Sequence, residues 1–187
     1  MPELENVTRR YKRNIGSIST TIYAIPHEDV LTFPALPAVD ADMKDAAKMV
    51  GSLVPKPGKG FIKLRATMDT PGIVGEKQGE MDGISFKQKL SFLIAGLDDA
   101  NLGFCAKALN SGWVFIGVDP NRADQLFILG NEVFAAEAET GEDAGTGVAT
   151  ADRAGINYNY YSVGYAPAYL YTGTHPKEML LEDESGS

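Results

Sequence analysis

The longest regular pattern of apolar and polar positions lies in "ISFKQKLSFLIAG" (84–96). Ile84, Phe86, Leu90, Phe92 and Ile94 share one parity, and Ser85, Lys87, Lys89 and Ser91 share the other. A period of two over that length predicts a half-buried strand. "GFIKLRATMD" (60–69) alternates in the same way through Ile62, Leu64, Ala66 and Met68, and "SISTTIYAI" (17–25) is rich in β-branched residues with Ile18, Thr20 and Ile22 on one face. "WVFIGV" (113–118) and "DQLFILG" (124–130) are apolar runs separated by "DPNRA", which predicts a hairpin. "EVFAAEAE" (132–139) alternates, and "GEKQGEMDG" (75–83) is polar and punctuated by glycine, as at a sheet rim. The period changes in "LDDANLGFCAKALNSG" (97–112), where Leu102, Cys105, Ala106 and Leu109 sit at helical spacing behind Asp98 or Asp99 as cap.

Two segments break the rhythm. Residues 26–59 hold five of the ten prolines, and within them "DADMKDAAKMV" (40–50) places Met43, Ala46, Ala47 and Val50 at i, i+3, i+4 and i+7. This predicts a short amphipathic helix on a long loop, a kind of connection that is uncommon and usually functional. "INYNYYSVGYAPAYLYTG" (156–173) holds six of the eight tyrosines, with Tyr158 and Tyr160 on one parity and Tyr161 and Tyr165 on the other. Rings on both faces imply a strand covered on both sides, by its own core or by another molecule. The expected architecture is mainly β (α+β): a β-sandwich or barrel with one flanking helix and a long early loop. One domain over 15–174 is expected, between a basic arm (1–14) and an acidic tail (175–187).

Charge sharpens the picture. The net charge is −8, yet Arg9, Arg10, Lys12 and Arg13 cluster near the start, and 123–152 carries seven acidic residues and no basic one. That balance argues against adhesive nucleic-acid binding, which needs a basic footprint. There is no run of eighteen apolar residues, the first residues lack the apolar core of a secretory signal, and the single Cys105 suits a reducing cytoplasm.

The residues that carry chemistry are few. His27 and His175 lie far apart in proline-flanked loops, and with one cysteine they do not make a metal set. Cys105 falls on the expected apolar stripe and reads as a core thiol. "GTGVAT" (145–150) lacks the third glycine and the strand–helix context of a dinucleotide loop, and "DPNRAD" lacks the glycine and distal glutamate of a calcium loop. Glu137 and Glu139 share a strand face without a visible catalytic partner. Trp113 and Phe115 could line a ligand pocket, but core packing suits them better. The chain reads as no enzyme, with no cofactor and no metal.

"GEMDGISFKQKLSFLIAGLDDANLGFCAKALNSGWVFI" (79–116) and "TGVATADRAGINYNYYSVGYAPAYLYTG" (146–173) together resemble the major tail tube protein of long-tailed bacteriophages, of the type found in phages of Bacteroidetes-like hosts. The resemblance covers roughly 60–173 and carries no catalytic signature. It implies a virion structural protein, made in the host cytoplasm and located in the virion tail. Its copies would form hexameric rings that stack into a tube delivering DNA. The implied partners are the protein itself, tape-measure and tail terminator proteins, and DNA in transit without tight or specific binding, with no membrane. On this reading Arg9, Arg10, Arg13, Met43, Val50, Tyr158, Tyr160, Tyr161 and Tyr165 are subunit-interface candidates, the basic arm meeting an acidic surface such as Glu182–Glu184 of a neighbour. Glu76, Glu80, Glu137 and Glu139 are lumen candidates whose carboxylates repel phosphates, with Lys87 and Lys89 opposing them if they face the same way. The alternative is another virion ring or accessory protein: a tail terminator, a head–tail connector or a head decoration protein.

Overall fold

The computed structural model describes residues 3–4, 15–140, 144–145 and 154–181. The basic arm with Arg9, Arg10 and Arg13, and Glu182–Glu184 of the acidic tail, lie outside the described residues. In chain order the strands are β1 (Thr21–Pro26), β2 (Val30–Thr32), β3 (Lys48–Met49), β4 (Val54–Pro55), β5 (Ile62–Arg65), β6 (Gly72–Gln78) and β7 (Ser85–Ala95). The helix α1 (Asp99–Ala108) follows, then β8 (Trp113–Asp119), β9 (Arg122–Leu129), β10 (Glu137–Ala138), β11 (Ala144–Gly145), β12 (Gly155–Gly164) and β13 (Tyr169–Tyr171).

Two sheets face each other. The first runs β3-β13-β9-β8-β1-β5, antiparallel except where β13 meets β3; the second runs β10-β12-β7-β6, with β11 also on β12. Among the described residues neither sheet closes on itself, so the mainly-β expectation holds as a sandwich and not as a closed barrel. Ile22, Ala24, Leu64, Phe115 and Leu129 of the first sheet meet Leu90, Phe92, Ile156, Tyr158 and Tyr160 of the second in one core. Phe115 lies 4.5 Å from the Tyr160 ring and 6.2 Å from Phe92, centroid to centroid.

The first sheet is buried on its other face as well. Tyr23, Ile25, Val114, Ile116, Leu126, Ile128, Tyr169 and Tyr171 form a second core with Val30, Met49, Leu53 and Phe61 from the 26–61 connection. That long connection is therefore a cover for its own sheet, stiffened by the β2–β4 pair. The helix expected over 40–50 does not form. Ala46 N–H reaches Asp42 O (3.0 Å), but the chain then extends, and Leu170 N–H bonds to Ala47 O (2.8 Å). An isolated helix of this length is marginal, and here pairing with β13 and burial of Met49 prevail. Met43 and Val50, named as subunit-interface candidates, are exposed in the single chain.

α1 forms where expected, with the Asp98 carboxylate accepting from Asn101 N–H (2.8 Å). Its orientation differs from the expectation by one residue, about 100° around the axis. Asn101 and Ala108 are buried and Phe104 and Cys105 partly so, whereas Leu102, Ala106 and Leu109 are exposed. Phe104 wedged between Trp113 (5.2 Å) and Tyr158 (5.3 Å) sets that rotation. The strand expected over 132–139 shrinks to β10 and a bridge from Ala136 to Trp113. Asn131 Oδ1 accepts from both Val133 N–H and Phe134 N–H (2.9 Å each), and this local turn displaces the ladder.

Candidate functional site: the outer face of the second sheet

β7 and β12 pair over ten residues, from Gly155↔Ala95 to Gly164↔Phe86. Residues directly opposite share a face. Phe92 and Leu90 point to the core with Tyr158 and Tyr160; Lys87, Lys89 and Ser91 point outward with Val163, Tyr161 and Asn159. β6 adds Val74 and Glu76 to the outer face through Val74↔Lys89 and Glu76↔Lys87, and β10 adds Glu137 opposite Tyr161.

The charges on this face interlock. Lys87 Nζ bonds to Glu139 Oε1 at 2.6 Å, and Lys89 Nζ lies 3.0 Å from Glu76 Oε2 and 3.5 Å from Glu139 Oε1. Lys87 also sits 4.4 Å above the centre of the Tyr161 ring, whose hydroxyl donates to Glu137 Oε2 at 3.4 Å. Glu139 thus takes two ammonium groups from β7. The Lys87 hydrogen bond holds its carboxyl below the usual carboxylate range, and the hydrogen bond to Glu76 raises Lys89 above the usual lysine value.

Three of the four lumen candidates, Glu76, Glu137 and Glu139, are brought onto one face together with Lys87 and Lys89. Glu80 is not: it lies exposed in the turn closing the β6–β7 hairpin, between Gly79 (φ 96°) and Asp82 (φ 69°). The tyrosine window is divided rather than shared by one interface. Tyr158 and Tyr160 are only 4% and 2% exposed, packed in the chain's own sandwich core, so their assignment to a subunit interface is corrected. Tyr158 is anchored by donating to Asn101 Oδ1 (2.6 Å) and O (3.0 Å), and burial pushes its phenol well above the ordinary value. Tyr169 and Tyr171 fill the second core and give their hydroxyl oxygens to Tyr165 N–H (2.8 Å) and Leu53 N–H (2.9 Å). Tyr161 lies half-buried on the polar face, and Tyr165 is 81% exposed.

Two features escaped the periodicity. Gln88 falls on the core-facing parity of β7, fully buried, its Nε2 donating to Ala166 O (2.7 Å). Asn101, a polar residue in a helix, bolts α1 to the second sheet, since its Nδ2 also reaches Gly96 O (2.6 Å). No single-residue signal in the sequence marks either.

Other candidates resolve plainly. Trp113 and Phe115 are buried in the sandwich core. A shallow apolar cleft of about 470 Å³ lies instead at the end of the sheet, against Ile84, Phe134, Val163 and Tyr165. His27 Nε2 pairs with Asn131 O (2.9 Å), and His175 Nδ1 accepts from Lys177 N–H (3.1 Å). Among the described residues no group of three or more histidine, cysteine, aspartate or glutamate side chains could hold a metal ion. No helix of the described residues is long and apolar enough to cross a membrane. The face presents interlocked charges and one aromatic platform. Comparisons with protein-family models, characterised proteins and solved structures gave no match.

Proposed function

We propose that the chain is a virion structural protein of the tail-tube type, whose copies join sheet edge to sheet edge into rings that stack around a passage for DNA. One observation carries this reading. The second sheet is sealed against the core on one side, open and polar on the other, and ends in β6, an edge strand with no further neighbour among the described residues. Such a sheet can be continued by a copy of itself without exposing apolar surface.

In this reading the outer face lines the passage. Its three carboxylates, Glu76, Glu137 and Glu139, against two ammonium groups leave one negative charge in excess per copy. The lysines are engaged by carboxylates rather than offered to phosphates. A wall of this kind gives a polyanion little counterion release and so lets it slide. Tyr165 remains an interface candidate, and the resemblance adds the tape-measure and terminator proteins as partners and the virion tail as the location.

Negative-stain microscopy of the purified chain, with sedimentation across a concentration series, tests the assembly. Uniform rods of indefinite length are expected. Single rings that never stack would favour a terminator or connector, and a chain that stays monomeric at high concentration would overturn ring formation altogether.

A further inference from the structure

The first sheet ends at β5, and one rung of ladder already continues beyond it. Phe61 N–H donates to Met179 O (2.8 Å) and Phe61 O accepts from Leu181 N–H (2.9 Å), making a parallel bridge between Phe61 and Leu180. Gly60 permits this approach: a Cβ there would lie 2.5 Å from Leu181 N. Backbone groups of successive residues turn to opposite sides of a strand. Ala66 N–H goes to Thr20 O (2.7 Å), while Leu64 and Ile62 register with Ile22 and Ala24 of β1. Lys63 and Arg65 therefore turn their N–H and C=O groups away from β1, to the side where residues 179–181 already lie beside Phe61.

With Leu180 opposite Phe61, a ladder continued in the same register would bring position 182 opposite Lys63 and position 184 opposite Arg65. The sequence has Glu182 and Glu184 at those positions. Lys63 and Arg65 are exposed, and neither has an ion pair among the described residues. The stretch 56–65 carries Lys56, Lys59, Lys63 and Arg65 with no carboxylate of its own. A strand from elsewhere would meet residues 179–181 end-on at the start of the slot.

We propose that the β5 edge is a docking site for an acidic extended strand, and that its occupant is the chain's own Glu182–Asp183–Glu184, in parallel register with Glu182 opposite Lys63 and Glu184 opposite Arg65. The occupant closes this sheet edge with matched charge. The inference does not depend on ring formation.

Native-state hydrogen exchange on the full chain and on a chain ending at Leu181 tests it, with the amides of Ile62 and Leu64, which face β1, as internal controls. Lys63 and Arg65 amides are expected to be protected in the full chain and to exchange about tenfold faster or more after truncation. Glu182→Lys with Glu184→Lys should reproduce that loss, and adding Lys63→Glu with Arg65→Glu should restore protection. Unprotected amides in the full chain, rates unchanged by truncation, or protection that grows with protein concentration would each overturn the assignment, the last by pointing to a second copy.

Discussion

Glu139 holds both lysines of β7 on the outer face, at 2.6 and 3.5 Å. Glu139→Gln should therefore free Lys87 and loosen Lys89. We expect duplex DNA, followed by fluorescence anisotropy, to bind the variant where it hardly binds the native chain, with a log-affinity against log-salt slope steeper by roughly 1 to 2. Unchanged affinity would show that the carboxylate does not mask the cations. The pH dependence has a definite sign. A carboxyl lowered in the folded state stabilises above the ordinary carboxylate range and loses that contribution as pH falls through its lowered value. The melting-temperature difference between native chain and Lys87→Met should be flat from neutral pH to about pH 5 and shrink below it. In the core, Tyr158→Phe takes the phenol donor from Asn101 Oδ1, and should cost about 1–3 kcal/mol by chemical denaturation. Tyr158 was recognisable in the sequence as a large ring on one face. Its placement in the core was not, because parity states that two faces differ and not which one meets solvent.

At the scale of elements, period-two alternation located β7, two apolar runs around a turn located the β8–β9 hairpin, and the tyrosine-rich window located β12. It failed where side-chain hydrogen bonds or distant pairing outweighed local preference. Asn131 diverts the chain before β10, and β13 captures residues 47–49 that a helix pattern had claimed. α1 was legible in extent but not in rotation, because aromatic packing of Phe104 decides its buried face. Thermal unfolding should separate the two readings of that helix. Leu109→Lys, at a position 59% exposed, should shift stability by no more than about 0.5 kcal/mol, whereas Asp98→Ala removes the cap and should cost about 1 kcal/mol. Met49→Ala or Leu53→Ala, fully buried in the cover, should cost about 2–5 kcal/mol.

For the whole molecule, a net charge of −8 opposes the approach of further copies. If rings and rods form, sedimentation should show association rising between about 0.05 and 0.5 M salt as repulsion is screened; association that falls with salt would indicate attraction between unlike charged surfaces instead. The mainly-β class was legible from the count and spacing of alternating segments. The two-sided burial of the first sheet was not, since the covering segment 26–61 is proline-broken and irregular and shows no period to read. That cover has a consequence for how the chain fails. Few ladder bonds fasten it, yet beneath it lies a flat apolar expanse of Tyr23, Val114, Ile116, Leu126 and Ile128. Mild heating that peels the cover while the sandwich survives would bare a sticky plane, and the first event on warming should be dye-binding and clumping of a still β-rich chain rather than clean melting.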